Sequence, residues 1–505
     1  MSIRFWGILI AVGLTSSLKA QDNGGFDDFL KQQSDLFNSF RDDNSDTFDS
    51  YRNQLNESYA KSLGKKWHNY QSEVPTRVPK ENNAAQISYN KEENDSEVFA
   101  DVVFEGNLEH TTAMIEQPTS VSPIEENDKN DEEGTFEFYG TTMSVRWGDV
   151  SDFCLPDIKE QSIADAYRHF SSDDYNNLLI DCLKLRTDYH LCDWAYYKLL
   201  ECIAVAAYDS LTNEAVVLQG VLLNQSGYKM RFAADVDQQR LHILMGVNGQ
   251  VFDCVPYQVK DDVFYLMDKT GIANLNICDF AYEGEQPMSL KMTSLPLLSS
   301  DLSDERSFKT ETSRTQVTLA SNKNLIAFLE DYPMSYHEDN HFWWAEYANT
   351  PVSEDIKDRL YPQLRKMIQN FNQRVAVNLL LGWVQYGLKY ADDEKIWGRD
   401  RVFFADETLF YPYSDSEDYV ILFSRLVRDM MGLDVALVYY TYLQNDQPVT
   451  HLATAIAFTE EVKGDAIIVD DHRYVIADPT YQGAPVGHTY PHCDNSKAEI
   501  ILLNR

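Results

Sequence analysis

The last third of the chain has the clearest pattern of apolar and polar positions. Apolar residues recur at helical spacing between residues 417 and 431, and Gly432 follows them as a candidate C-cap. Segments 434–443, 450–458 and 472–478 have the apolar content and alternation that are typical of strands. The pattern therefore predicts a helix followed by three strands.

A similar succession of elements is predicted earlier in the chain. Residues 192–208 and 213–226 have the pattern of buried helices, and Gly227 ends the second one. Strand patterns occur at residues 136–147, 240–247, 250–259 and 263–268. We therefore predict an α+β protein with one globular unit at 135–320, which includes a β-rich connection after residue 290, and a second unit at 321–505.

Aromatic residues recur every eleven positions near the start of the chain. One row consists of Phe26, Phe37, Phe48, Tyr59 and Tyr70, and a second row, three residues behind, consists of Phe29, Phe40 and Tyr51. Eleven residues make about three turns of a straight helix. Residues 21–70 are therefore predicted to form a helical arm with one aromatic stripe, which either docks on the globular body or mediates homo-oligomer or partner binding.

A polar stretch follows the predicted arm. Residues 71–134 have few long apolar runs and contain acidic segments such as "NKEENDSE" and "EENDKNDEEG". Segments of this composition stay hydrated because they cannot bury enough apolar surface to offset the entropy of ordering. A flexible acidic linker is therefore predicted between the arm and the first globular unit.

The first 20 residues have the features of a secretory signal. Arg4 supplies the positive charge, residues 5–14 form a short apolar core, and a candidate cleavage site precedes Gln21. We therefore predict export to a periplasmic or extracellular location. No other apolar run approaches the about 20 residues of a transmembrane helix, so no transmembrane segment is predicted.

Composition narrows the range of partners. The chain of 505 residues has 80 acidic and 43 basic side chains, which gives a net charge of −37. Nucleic acids and anionic membranes are repelled by such a surface, so neither is an expected partner. Export and the presence of seven cysteines make disulfides possible, although the odd number leaves at least one free thiol and no Cys-x-x-Cys pair occurs.

Three residues with complementary chemistry follow one another in the last third of the chain. Ser416 opens the predicted helix, His451 heads a predicted strand and Asp478 ends the next strand. A hydroxyl, an imidazole and a carboxylate are the groups of a nucleophile, its base and the residue that orients the base. Ser416 is also a candidate helix cap, as are Ser414 and Asp415.

The order and local sequence of these residues resemble the transglutaminase-like, papain-type cysteine hydrolases. In that family a cysteine opens an apolar helix that ends in glycine, a histidine begins a strand, and an aspartate begins an Asp-Pro-Thr turn after the next strand. The matching segments are "SEDYVILFSRLVRDMMG", "HLATAIAF" and "VIADPTY", with "AVNLLLGWVQYGLKYADDEKIWG" as the helix ahead of the nucleophile. The resemblance covers residues 365–490 and implies a papain-like transglutaminase core.

The chain departs from this family at the nucleophile, where Ser416 replaces cysteine. A thiol at a helix N-terminus is activated by a lowered pKa, whereas a serine hydroxyl needs concerted proton removal and a matched oxyanion hole. Gln385, on the upstream helix, is a candidate oxyanion donor. We expect a catalytically degenerate homologue that binds peptide, protein or a cell-wall-like polymer. The alternatives are an active serine amide or ester hydrolase and an extracytoplasmic scaffold or assembly protein.

The first unit carries sequence signs of a second copy of the same core. Alignment of "TNEAVVLQGVLLNQSGYKMR" with "SEDYVILFSRLVRDMMGLDV" places Thr212 at the nucleophile position, His242 near His451 and Asp268 near Asp478. The histidine and the aspartate are separated by 26 residues in the first copy and by 27 in the second. An internal duplication is therefore expected. The first copy lacks the Asp-Pro-Thr turn and is expected to be inactive.

Two short motifs contain metal-ligand residues. "HEDNH" at His337–His341 matches the H-E-x-x-H pattern of zinc proteases, and "GHTYPHC" offers His488, His492 and Cys493. Chance matches of this length are common, and both segments have the composition of loops. No phosphate-binding loop or dinucleotide fingerprint occurs, so neither a metal nor another cofactor is predicted.

Overall fold

The computed structural model describes residues 50–79, 82–90, 99–104, 108–110, 117–120, 124–129, 132–268, 271–309, 316–336 and 343–504. The predicted signal segment and the His337–His341 motif lie outside these residues. So do five aromatic residues of the predicted arm, namely Phe26, Phe29, Phe37, Phe40 and Phe48. The described residues form an α+β protein, as the sequence predicts.

Helices dominate the stretches between the strands. The α-helices of the described part are α1 (50–63), α2 (Glu160–Phe170), α3 (Asn176–Asp188), α4 (Asp193–Tyr208), α5 (Asn213–Gln225), α6 (Lys323–Asp331), α7 (Trp344–Asn349), α8 (Glu354–Ile368), α9 (Gln373–Gly387), α10 (Asp393–Trp397), α11 (Ala405–Phe410) and α12 (Ser416–Met431). The predicted helices at 192–208, 213–226 and 417–431 are confirmed as α4, α5 and α12. At the end of α12, Gly432 adopts a left-handed conformation (φ 63°), which a residue without Cβ adopts at low cost.

The strands range from two to eleven residues in length. They are β1 (His68–Gln71), β2 (Ile87–Ser88), β3 (Asp101–Val103), β4 (Leu108–His110), β5 (Glu133–Phe138), β6 (Thr141–Arg146), β7 (Met230–Asp235), β8 (Arg240–Gly246), β9 (Gln250–Val251), β10 (Val255–Val259), β11 (Asp262–Leu266), β12 (Asn274–Ile277), β13 (Arg306–Lys309), β14 (Gln316–Leu319), β15 (Ser335–Tyr336), β16 (Asp434–Gln444), β17 (Gln447–Ala457), β18 (Ala466–Val469), β19 (His472–Ala477), β20 (Tyr481–Gln482) and β21 (Glu499–Leu502). The strand predicted at 136–147 is instead a hairpin, because Tyr139 and Gly140 both adopt positive φ values and form a tight turn.

Two large sheets organise the molecule. The sheet of the first unit has the strand order β1-β12-β7-β8-β11-β10, and the sheet of the second unit has the order β3-β18-β19-β17-β16-β21-β4. The largest apolar cluster lies between these sheets and the helices, and it includes residues of α5 and α12. Within the described residues, no helix has both the length and the apolar character needed to span a bilayer.

The central five strands of the two sheets have the same arrangement. In the first unit, α5 is followed by β7, β8, the hairpin β10–β11 and β12, which lie side by side as β12-β7-β8-β11-β10. In the second unit, α12 is followed by β16, β17, the hairpin β18–β19 and β21, which lie side by side as β21-β16-β17-β19-β18. Every neighbouring pair in both sets is antiparallel. Helix and strands therefore follow the same path twice along the chain.

Helix α1 docks on the first unit through one face. Tyr59 is 3 % exposed and packs between the rings of Tyr167 and Tyr282, with ring centroids 5.1 and 5.4 Å apart. Docking, one of the two uses expected of the arm, is thus observed for its described part. The helix ends at residue 63, however, and Tyr70 lies on β1, paired with Leu275 of the first sheet. The aromatic repeat therefore does not continue as one helix to residue 70.

The described parts of the predicted linker include three strands that pair with the second unit, and they do not form a flexible connection. Strand β3 pairs with β18, and β4 pairs with β21, so both edges of the second sheet are formed by residues from this stretch. Strand β2 pairs with β20 in the same unit. Unpaired backbone groups at a sheet edge favour the addition of another strand even when that strand has few apolar side chains.

The cysteines form no disulfide, although all seven lie within the described residues. Four of them, Cys182, Cys192, Cys254 and Cys278, are buried. Burial is the main cause that raises the pKa of the Cys192 thiol to about 12 and that of the Cys278 thiol to about 11. These four residues therefore act as small apolar side chains of the core rather than as reactive thiols.

Removal of the Tyr59 ring tests the docking of α1. We expect Tyr59→Ala to lower the free energy of unfolding by roughly 3–5 kcal/mol, because a large aromatic side chain leaves a cavity in the core. Tyr51→Ala is the matched control on the same helix, since Tyr51 is 43 % exposed; its effect should stay within about 0.5 kcal/mol. Urea denaturation measures both values, and equal losses would show that α1 is not docked through Tyr59.

Candidate functional site

Ser416 is the first residue of α12, as the sequence predicts, and it is only 2 % exposed. The N-cap is Asp415, so Ser416 does not cap the helix itself. The Ser416 Oγ donates a hydrogen bond of 2.8 Å to Oε2 of the adjacent Glu417. The hydroxyl hydrogen is therefore engaged with a carboxylate and not with His451.

His451 and Asp478 form the closest polar pair of the site. The Nε2 atom of His451 lies 2.6 Å from Oδ2 of Asp478, and both side chains are fully buried. The other carboxylate oxygen, Oδ1, accepts hydrogen bonds from the Thr480 N–H at 2.9 Å and the Thr480 hydroxyl at 2.8 Å. Burial by itself would raise the pKa of Asp478, but His451 and these hydrogen bonds outweigh it and hold the pKa below its usual value. Asp478 thus keeps its charge and orients the imidazole.

One nitrogen of the imidazole remains unused. The Nδ1 atom of His451 is buried and has no hydrogen-bond partner among the described residues. The ring stacks on Tyr490, with centroids 4.2 Å apart, which fixes its plane. A histidine held by a carboxylate through one nitrogen, with the other nitrogen free, has the arrangement of a general base.

A single side chain connects the neighbours of Ser416 and His451. Asn83 donates from Nδ2 to Oε1 of Glu417 at 2.8 Å and accepts on Oδ1 from the Thr450 hydroxyl at 3.2 Å. Glu417 follows Ser416 in the chain, and Thr450 precedes His451. The start of α12 and the middle of β17 therefore meet at one site, and the side chain of Asn83 lies between them.

Asn83 belongs to a segment of the predicted linker that lies across the site; we call residues 82–90 the strap. On the β17 side, the Thr450 N–H donates to the carbonyl of Asn82 at 3.0 Å, and the Ala84 N–H donates to the carbonyl of Thr450 at 2.8 Å. Ala84 is 5 % exposed and packs in an apolar cluster with Val449, Tyr481 and two other residues, Ala484 and Tyr490.

The strap continues from β17 to the turn that carries Asp478. Its strand β2 runs parallel to β20, with Ile87 paired to Tyr481, and the Tyr89 N–H donates to the carbonyl of Gln482 at 2.8 Å. Between these anchors, the Tyr490 hydroxyl donates to the carbonyl of Ala85 at 2.7 Å. An extended chain with backbone hydrogen bonds on both sides thus contacts the neighbours of the three candidate residues, namely Glu417, Thr450 and Tyr481.

Sequence reasoning does not find the strap, although a weak signal for it exists. Residues 82–90 read "NNAAQISYN", and the alternation of Ile87 and Tyr89 with polar residues is a strand pattern inside an otherwise polar stretch. Two alternating residues are too few to separate a strand from chance. The pairing partner is also almost 400 residues away in the chain, so no local pattern could indicate it.

Gln385 has a different role from the oxyanion donor that the sequence suggests. Its side-chain Nε2 donates to the carbonyls of Asp478, Tyr481 and Ala484 at 2.9–3.1 Å, and its Oε1 accepts from the Gly483 N–H. A side-chain amide has two hydrogens, and these carbonyls already engage both. Gln385 therefore holds the turn that positions Asp478 and has no donor left for a substrate.

Carboxylates are concentrated at the start of α12. Asp393, Asp415, Glu417 and Asp418 are all between 0 and 7 % exposed. Burial is the largest cause that raises the pKa of Asp415 and of Asp418 well above the usual value, and repulsion between these carboxylates adds to it. The same two causes raise the pKa of Asp393 to about 7, against a hydrogen bond from the Arg401 N–H that lowers it. The site of Ser416 is thus strongly acidic.

The first unit brings its histidine and aspartate near each other, and its threonine caps a helix. His242 lies on β8, Asp268 follows β11, and their Nδ1 and Oδ2 atoms are 3.7 Å apart, beyond hydrogen-bond distance. Both residues line a cavity of about 420 Å³. Thr212 is the N-cap of α5, where its hydroxyl accepts from the Ala215 N–H at 3.2 Å, so it acts as a cap.

The "GHTYPHC" segment does not assemble a metal site in the described part of the chain. The Nδ1 atom of His488 lies 3.2 Å from the Pro485 carbonyl, and its ring packs against Tyr89 and Phe99. His492 lies beside the ring of Tyr442, with centroids 5.9 Å apart. These contacts give both histidines structural roles, and the described part has no metal-binding group of side chains that includes them.

The His451–Asp478 pair predicts a specific response to acid. A carboxylate with a lowered folded pKa stabilises the protein above the unfolded pKa of about 3.9 and loses that contribution as the pH falls through the folded pKa. We therefore expect Asp478→Asn to be less stable than the native chain at pH 6, with a difference that narrows below pH 4. Urea denaturation at several pH values measures this difference.

The matched control for that titration is Asp471→Asn, because Asp471 is exposed in the turn before β19. Its difference from the native chain should stay small at every pH. A difference for Asp478→Asn that does not narrow in acid would contradict the charged, histidine-bound state of this carboxylate.

Comparison with known proteins adds no relative to this picture. No model of a known protein family matches the chain. No curated protein matches it at a significant level either. The resemblance to the transglutaminase-like, papain-type hydrolases therefore depends on the motifs and on the arrangement of Ser416, His451 and Asp478 alone.

Proposed function

We propose that the second unit is a transglutaminase-like, papain-type core without a working nucleophile, and that its cleft binds an extended polypeptide instead of cutting one. One observation carries this proposal, namely the strap. A piece of polypeptide already lies against the neighbours of Ser416, His451 and Asp478, with backbone hydrogen bonds to β17 on one side and to β20 on the other. Backbone pairing of this kind accepts many sequences, because it uses groups that every residue has.

The arrangement of elements supports the family part of the proposal. The serine begins a buried helix, the histidine lies on the second strand after it, and the aspartate follows the fourth strand, next to the histidine. The family uses the same order, with cysteine in place of Ser416. The free Nδ1 atom of His451 is where a thiol would be deprotonated, so the base is retained although the nucleophile is exchanged.

The repeated strand order supports an internal duplication of this core. His242 and His451 lie on corresponding strands, β8 and β17, and Asp268 and Asp478 follow the corresponding strands β11 and β19. We infer that the first unit is the second copy, with its histidine and aspartate retained around an open cavity and with a helix-capping threonine at the nucleophile position. Binding rather than catalysis is therefore the shared property of the two units.

Three features argue against hydrolysis by Ser416. Its hydroxyl donates to Glu417, so the transfer of its proton to His451 first requires that this bond breaks. Buried carboxyl groups surround it, and each one that ionises disfavours the alkoxide and the oxyanion that acyl transfer produces. The side-chain amide of Gln385 is fully engaged by backbone carbonyls. An active serine hydrolase is therefore the second candidate, favoured only by the intact His451–Asp478 pair.

We place this binding activity outside the cytoplasm, on the basis of the signal-like first 20 residues. The scaffold alternative rests on the aromatic arm and on the acidic linker. In the described part of the arm, α1 uses its buried face, including Tyr59, to pack on the first unit, which leaves that face unavailable to a partner.

The first test asks whether the strap closes the cleft. In Ser416→Cys, the new thiol should be protected from a small alkylating reagent, because the residue is 2 % exposed. Adding Ala84→Arg places a charge in the apolar cluster that buries Ala84, which destabilises the docked strap by more than about 1.4 kcal/mol. The strap should then detach more often, and alkylation at position 416 should rise at least about tenfold. Peptide mass spectrometry must locate the label, since Cys154 is exposed as well.

The control for this test is Ala85→Arg in the same Ser416→Cys background. Ala85 neighbours Ala84 and has the same side chain, but it is exposed, so alkylation at position 416 should stay low. Equal reactivity with both arginine variants would show that the strap does not cover Ser416.

The second test asks what the open cleft binds. A labelled peptide with the sequence NNAAQISYN should bind saturably to the Ala84→Arg protein and not to the native chain, as measured by fluorescence anisotropy. A peptide with arginine in place of its third residue is the control. Absence of binding to a folded Ala84→Arg protein would overturn the proposal. Cleavage of the peptide that is lost in Ser416→Ala would instead establish the serine hydrolase.

A further inference from the structure

Three aspartates from two separate segments meet at the start of α12. Asp393 is the first residue of α10, Asp415 is the N-cap of α12, and Asp418 lies in the first turn of α12. One carboxylate oxygen from each residue lies within 4.8 Å of the others, and all three side chains are buried. Like charges do not collect in a protein interior unless something compensates them.

One oxygen of this group has no hydrogen-bond partner in the described part of the chain. Asp415 is only 7 % exposed, and its buried Oδ1 atom has no hydrogen bond to any described residue. The other two carboxylates are positioned by backbone donors. Oδ2 of Asp393 accepts from the Arg401 N–H at 2.7 Å, and Oδ1 of Asp418 accepts from the Phe403 N–H at 2.8 Å. Two carboxylates are therefore fixed, and the third presents an unsatisfied oxygen beside them.

The protein supplies little positive charge to this group. Within the described residues, no lysine or arginine forms an ion pair with any of the three aspartates. The guanidinium of Arg401, which acts on Asp393, is paired with Glu407. Glu417 adds a fourth carboxylate next to them, 6 % exposed. The positive end of the α12 dipole is too weak to compensate several charges of this kind.

We propose that Asp393, Asp415 and Asp418 form a binding site for a hard divalent cation, with Ca²⁺ as the best fit. Oxygen-only donors select Ca²⁺ or Mg²⁺ over zinc and other transition metals. Oxygens up to 4.8 Å apart fit around a Ca²⁺ ion, whose ligands lie at about 2.3–2.6 Å. Mg²⁺ requires a tighter octahedron with ligands at about 2.0–2.1 Å. The remaining positions of the coordination shell would be filled by water or backbone carbonyls.

The expected role of the cation is to hold the start of α12 in place. The ion would connect α10, through Asp393, to the residues on either side of Ser416, namely Asp415 and Asp418. It would also offset the repulsion between these carboxylates when they ionise. This role does not depend on whether the cleft binds or cuts a polypeptide, so the site can be tested separately from the proposed function.

Calorimetry on the full chain tests the site. Protein freed of metal with a chelator and then dialysed should bind CaCl₂ with heat that saturates near one equivalent at pH 7.5, and its melting temperature should rise by several degrees. Asp415→Asn should weaken Ca²⁺ binding by at least about tenfold, since even the loss of a contact that only supports a ligand has an effect of roughly that size. Mg²⁺ should bind more weakly than Ca²⁺.

Two further variants keep the test decisive. Asp392→Asn is the matched control, because this neighbour of Asp393 has a side chain that is 47 % exposed and paired with Lys395, and its Ca²⁺ binding should equal that of the native chain. Asp393→Asn replaces a second ligand and should lose Ca²⁺ binding as Asp415→Asn does. The test therefore stays valid if one of these two variants folds poorly.

The competing explanation is that the aspartates carry protons instead of sharing a cation. In that case CaCl₂ produces no saturating heat and no rise in melting temperature. That result, or unchanged Ca²⁺ binding in both ligand variants, would overturn the cation site.

Discussion

The start of α12 is buried, and a buried helix end must find every hydrogen-bond partner inside the protein. This constraint organises the surroundings of the candidate site. The side chain of Asp418 accepts from the N–H groups of Asp415 and Phe403, which brings the helix against the loop before α11. Glu417 accepts from Ser416 and from Asn83, which brings the strap against the helix. The contact between the strap and α12 is thus one consequence of satisfying a polar helix end inside the protein.

The histidine–aspartate pairs of the two units have different surroundings. In the second unit the strap lies beside the candidate site, and His451 and Asp478 are buried in a short hydrogen bond. In the first unit the corresponding pair lies at the wall of a cavity, and the distance between its polar atoms is 3.7 Å. Water reaches the partly exposed His242–Asp268 pair and keeps its interaction weak, whereas burial strengthens the interaction of the His451–Asp478 pair. The same strand order therefore supports one buried pair and one open cavity.

Local sequence was a good guide where a pattern repeats over many residues. The helix predicted at 417–431 spans Ser416–Met431, and the strands predicted after it are present as β16, β17 and β19. Each of these elements has a long stretch of periodic apolar residues, so packing and propensity favour the same structure. The prediction of one strand at 136–147 was wrong because two residues at positive φ turn the chain, and a Tyr-Gly pair is a weaker turn signal than Asn-Gly.

The sequence by itself determined the class of the fold, the elements of the second unit and the order of Ser416, His451 and Asp478, because these depend on periodicity and on short motifs. Only the tertiary structure decided that the strap contacts their neighbours, that Gln385 holds a turn and that Asp393 joins Asp415 and Asp418. Each of these contacts joins residues that are far apart in the chain or on different elements. Their energies come from burial and from hydrogen-bond pairing at a shared site, and no local pattern of residues encodes those quantities.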